Sequence, residues 1–210
     1  MAIALWLVAR NASGALLCLL PWLQKARETS DDGSLDPENE PAMERFDAGL
    51  RALGFAKLGA IELCAPLAPP RARLIYGAPA LNTFADLEAP SGSLHLTLFT
   101  PFEGGEAVVT SNFQRSGHNT DTLLLGGLPG HEVREVWAAH RRRVAQLTDG
   151  PRHAVPWNDL TLPGRVRAQS RYVHGSGKRE LRARGVVPLT VVLMALVLMA
   201  LAVLQLARLK

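Results

Sequence analysis

The sequence has few of the residues from which small proteins build covalent or metal-based frameworks. Cysteine occurs only twice in 210 residues, which excludes a disulfide framework and a zinc site made of cysteines alone. Histidine occurs six times, but no two histidines have the short spacing of a zinc motif. We therefore predict no metal site. The fold must be held together by an apolar core, for which the chain is long enough.

Motifs that carry catalysis or bind a cofactor are also lacking. Residues 116–121 contain serine, histidine and aspartate, but one loop does not give the members of a catalytic triad their separate rigid supports. No G-x-S-x-G motif occurs. Residues 175–178 look like the end of a phosphate-binding loop, yet Tyr172 and Arg179 stand where that loop requires a glycine and a hydroxyl residue. The sequence thus identifies no catalytic residue, no cofactor and no small-molecule ligand.

Charge is absent from residues 185–207. Nineteen residues within this stretch, 186–204, are almost all aliphatic, and as a helix they reach about 28 Å, close to the thickness of a hydrocarbon core. In a helix that begins at residue 185, Pro188 would lie in the first turn, where its missing N–H costs little. A core helix of a soluble protein normally shows a polar stripe. The sequence therefore predicts a C-terminal transmembrane helix over residues 185–207.

The N-terminal stretch, residues 2–23, is apolar but interrupted by Arg10, Asn11, Ser13 and Gly14. An arginine at the centre of a spanning helix costs about 3 kcal/mol, which the surrounding leucines can offset. The N-terminal membrane segment, residues 1–24, is thus either a second span or a helix in the membrane interface. A cleaved signal peptide fits poorly, because no basic residue precedes the apolar run and no small-x-small site follows it.

Basic residues flank both apolar segments on the side of the central part of the chain. They are Lys25, Arg27, Lys178, Arg179, Arg182 and Arg184. Outside the two segments there are only Arg208, Lys210 and the α-amino group. By the positive-inside rule we predict an integral protein of a plasma or inner membrane, with its central domain in the cytoplasm and both termini across the membrane.

Between the membrane segments, the helical patterns place two helices in a domain over residues 41–148. Phe46 and Leu50 recur at helical spacing, and Gly54 is placed to end the first helix. A second helix is predicted over residues 129–147, because apolar side chains share one of its faces. That face carries Val133, Val136, Trp137, His140, Val144 and Leu147.

The strand patterns of the same domain predict an antiparallel sheet. Residues 72–76 and 83–88 are strand candidates, residues 94–99 alternate between apolar and polar, and a β-rich run over 107–113 follows a turn with two glycines. We predict a small meander of four or five strands from about residue 59 to residue 113, with the two helices flanking it. This is an α+β fold. Residues 114–130 are interpreted as a polar, glycine-rich connection.

The formal net charge of +4 conceals two segments of opposite sign. Residues 25–40 form a predicted acidic linker, and residues 25–50 carry three basic and eight acidic residues. Residues 149–184 form a predicted basic juxtamembrane segment, which carries eight basic and two acidic residues after position 149. Within it, residues 165–172 alternate at period two, which predicts an added edge strand.

Four basic residues at the end of this segment are candidates for contact with anionic lipid. They are Lys178, Arg179, Arg182 and Arg184. A basic residue near an anionic membrane surface contributes about 1 kcal/mol of attraction. The alternative interpretation is that these charges only determine topology. Nucleic acid is not an expected partner, because no recognition motif is present and aromatic residues are sparse.

These observations favour a membrane-anchored, non-enzymatic adaptor, sensor or accessory subunit. Its domain is tethered to the bilayer at both ends, which suits a partner that is also membrane-associated. The alternative is a membrane-bound enzyme whose site assembles only in three dimensions, from His140, His118 and nearby carboxylates such as Glu103. For His140 itself, a core histidine hydrogen-bonded to the sheet backbone is the competing interpretation.

Overall fold

A computed structural model describes residues 2–30, 40–90, 93–115, 118–150 and 153–208. Within these ranges the helices are α1 (Ala2–Leu19), α2 (Glu40–Ala52), α3 (Val133–Thr148), α4 (Leu162–His174) and α5 (Lys178–Arg208). The strands are β1 (Lys25–Thr29), β2 (Ala56–Cys64), β3 (Arg71–Ala78), β4 (Thr83–Glu88), β5 (His95–Pro101), β6 (Ala107–Ser111) and β7 (Leu123–Gly127). The protein is an α+β fold with an apolar helix at each terminus, as predicted.

The seven strands form one sheet in chain order. Strands β1 to β6 make an antiparallel meander, and β7 pairs in parallel with β6. The sheet is therefore larger than the predicted four or five strands, and it is mixed. In the central strand β4, Asp86 lies opposite Ile75 of β3 on one side and Thr97 of β5 on the other.

One face of the sheet packs against α2 and α3. Leu74, Tyr76 and Leu98 point to this face and form a core with Leu50 of α2 and Trp137 of α3. The two predicted helices are confirmed, and α3 begins with a capping box, in which the side chains of Glu132 and Glu135 bond reciprocally to backbone N–H groups. Gly54, just after α2, has a φ of +85°, a value that glycine adopts without strain.

The opposite face packs against α4. Ile75, Phe84 and Phe99 point to this face, where they contact Ala168 and Tyr172 of α4. The predicted edge strand over residues 165–172 is wrong, because these residues form most of a helix. The buried side chains of α4 recur every three or four residues, but Arg165 and Gln169 stand among them, and these polar residues conceal the helical pattern. Because both faces of the sheet are covered, its central strands are buried throughout.

The two terminal helices pack against each other. Cys18 lies beside Gly185, and Gly14 lies beside Pro188, so α1 and α5 run antiparallel. A Cβ atom at Gly185 would lie 2.5 Å from the Cβ of Cys18 and 2.6 Å from the carbonyl oxygen of Gly14, so the backbones approach closely there. Both helices are long and apolar enough to cross a membrane.

Two strands lie where no strand was predicted. β1 occupies the first residues of the predicted acidic linker. Its sequence, KARET, is mostly polar, which suits an edge strand whose side chains are largely exposed. β7 lies within the predicted glycine-rich connection, where the sequence LLLGG forms the other edge of the sheet. Residues 31–39 of the predicted linker lie outside the described residues, as do Ser116 and Gly117 of the loop considered above.

Candidate functional site

The first turn of α5 is built into the core of the domain. The Glu180 carboxylate is buried and accepts hydrogen bonds from Arg115 at 2.5 Å, from Arg184 at 2.5 Å and from the Tyr172 hydroxyl. Burial and the charge of Glu180 raise the pKa of Tyr172, so this hydroxyl stays protonated and donates. Residues from the β6–β7 connection, from α4 and from α5 thus converge on one carboxylate. Loss of these partners would leave a buried charge unpaired, so the start of α5 is fixed relative to the sheet.

A second charge cluster lies between α4 and the sheet. Arg165 of α4 donates from Nη2 to Asp86 Oδ2 at 2.5 Å and from Nε to Oδ1 at 3.0 Å. Arg73 bonds to Glu88 at 2.7 Å and to Asp86 at 3.3 Å. Burial alone would raise the pKa of the Asp86 carboxyl, but Arg165 and Arg73 outweigh it and hold that pKa below its usual value. Gln169 accepts from Arg165 and donates to Gln24, which links the cluster to the segment before β1.

A small cavity of about 50 Å³ lies between the two charge clusters. It has room for a few water molecules. Arg73, Arg115, Arg165 and Glu180 all contribute to its wall. The Nε atom of Arg115 is buried and has no hydrogen-bond partner within the part of the chain that the structure describes.

A larger groove, of about 620 Å³, lies beside this cavity between α1, the start of α5 and the β2–β3 connection. We call it the basic groove, because its charged residues are four arginines and one carboxylate: Arg10, Arg71, Arg73, Arg184 and Glu88. The cavity and the groove share Gln24, Arg73, Glu88 and Arg184, so they adjoin. Asn11, Ser13 and Gly14 also line the groove. The polar residues that interrupt the N-terminal apolar run therefore share one location.

The four predicted lipid-contact residues lie in the first two turns of α5 and have different surroundings. Lys178 lies over the ring of Trp22, with Nζ 5.5 Å from the ring centroid. Arg179 lines a surface depression with Asp121, and Arg182 is exposed. Arg184 lines the basic groove. Whether any of the four contacts lipid stays a prediction.

His140 is a core residue of the α3 side of the sheet. It is fully buried, and its two ring nitrogens bond to threonine hydroxyls, Nε2 to Thr100 at 2.8 Å and Nδ1 to Thr110 at 3.0 Å. The Thr100 hydroxyl in turn lies 2.6 Å from that of Thr83. Burial and the nearby charge of Arg143 lower the pKa of His140 to about 3, so the ring is neutral. Its partners are side chains of the sheet, not the backbone groups that the sequence analysis considered.

The other residues of the alternative enzyme site lie in different surroundings. His118 is exposed on the connection before β7. Glu103 is exposed at the turn between β5 and β6, and its carboxylate lies 3.7 Å from Arg171. Neither residue shares the buried environment of His140. Across the described ranges, no three side chains of His, Cys, Asp or Glu are placed to hold a metal ion.

No family model matches the chain, and neither the curated proteins nor the solved structures contain a significant match. The function is therefore argued from the geometry alone.

The charge clusters were not found from the sequence. Asp86 and Glu88 alternate with apolar residues along one strand, which is the ordinary pattern of a solvated face. Arg165 and Glu180 lie in a segment that reads as a solvated basic stretch. One feature of the sequence could have indicated the cluster around Asp86. This residue stands between Phe84 and Leu87 in a strand with apolar residues on both faces, and a charge buried in such a strand requires a partner of opposite charge.

Proposed function

We propose that this protein is a membrane-anchored, non-enzymatic adaptor, sensor or accessory subunit that presents its α+β domain at the inner face of a membrane. The observation that carries the proposal is the burial of Glu180. The C-terminal membrane helix does not hang from the domain on a flexible linker, because its first turn is part of the domain core. A domain held in a fixed position at the bilayer suits recognition of a partner that is held there too.

The packing of α1 against α5 supports insertion of both helices as a hairpin. A helix that lies flat in the interface would run across α5, whereas α1 runs along it. The exposed side chains of the pair are mainly large and apolar, among them Ile3, Leu5, Val187, Leu193, Val197 and Leu201. Such a surface is stable when lipid covers it. Trp22 and Lys178, at the domain end of the pair, are residue types that favour the membrane interface.

The surroundings of His140 favour this proposal over the alternative enzyme. A general base must reach its substrate, and His140 is sealed in the core with both nitrogens engaged. His118 and Glu103 are exposed and do not adjoin it through any described hydrogen bond. The buried histidine is more simply a neutral member of the hydrogen-bonded core.

Reporter fusions test the topology. With the chain expressed in a bacterial inner membrane, alkaline phosphatase fused after Lys210 should be active and a green fluorescent protein fused at the same position should be dark. The same pair of reporters inserted at residues 151–152, between α3 and α4, should show the reverse. A fluorescent fusion after Lys210 would overturn the cytoplasmic placement of the domain.

Association with a partner is tested by gentle extraction of the full chain. We expect one membrane protein to co-purify in a fixed ratio through size exclusion, and chemical cross-links to join it to the α+β domain. The Gly185→Val chain, in which the contact between α1 and α5 is disrupted, is extracted in parallel as a control. A partner that contacts the α+β domain should still co-purify with this variant, whereas a partner held only by the helix pair should be lost. Recovery of the chain only as a monomer would overturn the accessory-subunit version.

A further inference from the structure

We propose that the basic groove binds the phosphate headgroup of an anionic membrane phospholipid, with Arg10 and Arg71 as its principal cationic ligands. The proposal rests on the proposed insertion of α1 and α5 into a membrane. It concerns a site different from the predicted lipid-contact set, with which it shares Arg184.

The arginines of the groove differ in how far their charges are already neutralised. Arg73 bonds to Glu88 and Asp86, and Arg184 bonds to Glu180. Arg10 and Arg71 are exposed, and within the described ranges neither has a carboxylate partner. Arg10 lies over the ring of Trp6, at 5.1 Å from its centroid, which holds the guanidinium without neutralising it. Two unneutralised guanidinium groups that line the same groove suit a phosphate, because arginine offers paired donors to its oxygens.

The depth of the groove matches the headgroup region of a bilayer. Cys18 lies level with Gly185, where the uncharged stretch of α5 begins, and Arg10 lies eight residues further along α1, about 12 Å away. The polar layer on each side of the hydrocarbon core is about 5–8 Å thick. Because α5 continues to Arg208, residues 189–207 are as long as the stretch 186–204 and can cross the hydrocarbon core with Gly185 at the outer side of the polar layer. In that placement the Arg10 backbone lies just inside the hydrocarbon core. From there its side chain extends back to the phosphates, as membrane arginines do.

The β2–β3 connection supplies the other wall of the groove at the same level. Residues 65–70 read APLAPP and contain no charge, and Ala65, Leu67, Ala68 and Pro69 line the groove opposite α1. Leu67 is 75% exposed and has a φ of +58°, so the turn presents a large apolar side chain away from the domain. An exposed leucine beside membrane helices is stabilised by contact with acyl chains. A phospholipid in the groove would thus place its phosphate at the arginines and its chains along Leu67 and α1.

The groove favours a negatively charged lipid over a zwitterionic one. Its described charges are four positive and one negative, and a choline headgroup would bring a further positive charge into this field. A phosphatidylglycerol headgroup brings none. A soluble phosphate would satisfy the arginines but would leave Leu67 and the apolar wall uncovered, so lipid is the occupant that matches both parts.

The test measures lipid retention by the full chain. Wild-type protein is reconstituted in nanodiscs of equal parts phosphatidylglycerol and phosphatidylcholine, released into detergent, and analysed by native mass spectrometry for bound lipid. We expect phosphatidylglycerol to be retained in preference to phosphatidylcholine. Arg10→Gln and Arg71→Gln should each weaken this preference about fivefold and together about 25-fold, the factor for about 1 kcal/mol per basic residue. Arg134→Gln, an exposed arginine on α3, is the matched control and should leave the preference unchanged.

The outcomes separate this proposal from the proposed function. Equal retention of the two lipids by wild type, or an unchanged preference in the double variant, would overturn the lipid site while leaving the membrane anchor intact. Displacement of the lipid by excess inorganic phosphate would overturn it in favour of a soluble anion. Failure of the wild-type chain to float with vesicles of the same lipids would overturn the membrane anchor itself. Circular dichroism should show the same folded content in all variants, because no described ion pair is removed.

Discussion

Arg165 of α4 and Asp86 of β4 form a two-bonded ion pair in the interior, with nitrogen–oxygen distances of 2.5 and 3.0 Å and almost no solvent exposure of either side chain. The pair is the polar centre of the layer between α4 and the sheet. Asp86 alone would require its face of β4 to stay solvated. Because the Arg165 guanidinium neutralises the Asp86 carboxylate, α4 can cover this face.

Removal of one member of this pair should destabilise the domain strongly. Arg165→Met leaves the Asp86 carboxylate buried with only the longer contact to Arg73, and we expect a loss of about 3–5 kcal/mol in the free energy of unfolding. Arg167→Met removes a neighbouring arginine of α4 that is 58% exposed, and should cost at most about 1 kcal/mol. Urea unfolding followed by tryptophan fluorescence measures both.

A double substitution tests whether the loss of stability in Arg165→Met comes from the unpaired charge of Asp86. Adding Asp86→Leu to Arg165→Met removes the uncompensated charge, so stability should partly return. A double variant that is less stable than Arg165→Met alone would contradict the interpretation of the pair as mutual neutralisation.

Protonation of His140 should make the protein less stable in mild acid. The pKa of the buried ring is about 3, whereas in the unfolded chain it is about 6.5. Between these values the unfolded state binds one proton more than the folded state, so stability falls as the pH falls. We expect a loss of about 2 kcal/mol between pH 7 and pH 5. The lowered pKa of Asp86 adds a further loss only at lower pH, as the pH falls from its usual pKa range towards its folded value.

Two variants test whether His140 causes the predicted loss of stability between pH 7 and pH 5. His140→Gln should be less stable at pH 7, with little change between pH 7 and pH 5. His131→Gln, at an exposed turn before α3, should keep the wild-type profile. Denaturant unfolding at each pH provides the measurement, and a wild-type slope in His140→Gln would show that another group is responsible.

The close crossing of α1 and α5 should not tolerate a larger side chain at Gly185. A valine there would meet Cys18 and the Gly14 carbonyl, so Gly185→Val should force the helices apart at a cost of about 1–3 kcal/mol. Ala183→Val, at an exposed position two residues earlier, should have little effect. Unfolding in mixed detergent micelles, followed by circular dichroism, distinguishes them. Equal stability of the two variants would contradict the close helix contact.

The turn that carries Leu67 should contact lipid directly. In a background of Cys18→Ala and Cys64→Ala, an environment-sensitive fluorophore attached at Leu67→Cys should shift to shorter wavelength when the chain is placed in vesicles, and brominated lipids should quench it. The same label at Val155→Cys, an exposed apolar position in the segment before α4, should remain in a watery environment. Identical spectra at both positions would place the turn outside the bilayer.

The parts of the fold that could be predicted are those whose signal is local. α2, α3 and strands β3 to β6 follow from apolar periodicity, which depends only on neighbouring residues. β1 and β7 are edge strands whose identity depends on partners elsewhere in the sheet. α4 was mistaken for a strand because Arg165 and Gln169 occupy buried positions where apolar residues are expected. The burial of Arg165 depends on Asp86, 79 residues away in the chain, and Gln169 is hydrogen-bonded to Arg165.

The same limit applies to the candidate site. The positive charge at the start of α5 is visible in the sequence, but its meaning depends on which arginines keep a free guanidinium after folding. Arg184 meets Glu180, and Arg73 meets Glu88, while Arg10 belongs to a segment in which it reads only as an unfavourable interruption. No sequence spacing relates Arg10 to Arg71. Only the antiparallel helix pair brings the first helix beside the β2–β3 connection.

That helix pair also sets the order in which the protein is completed. α1 is synthesised before the helix it packs against, and at usual synthesis rates the two are separated by about ten to thirty seconds. During this interval α1 lacks the helix against which Gly14 and Cys18 pack, and the sheet must assemble beside an apolar helix that is still alone. Once α5 is synthesised, Glu180 can be buried in the domain core and α5 can pack against α1. A ribosome stalled before residue 178 would therefore hold a chain whose α+β domain and helix pair are both unfinished.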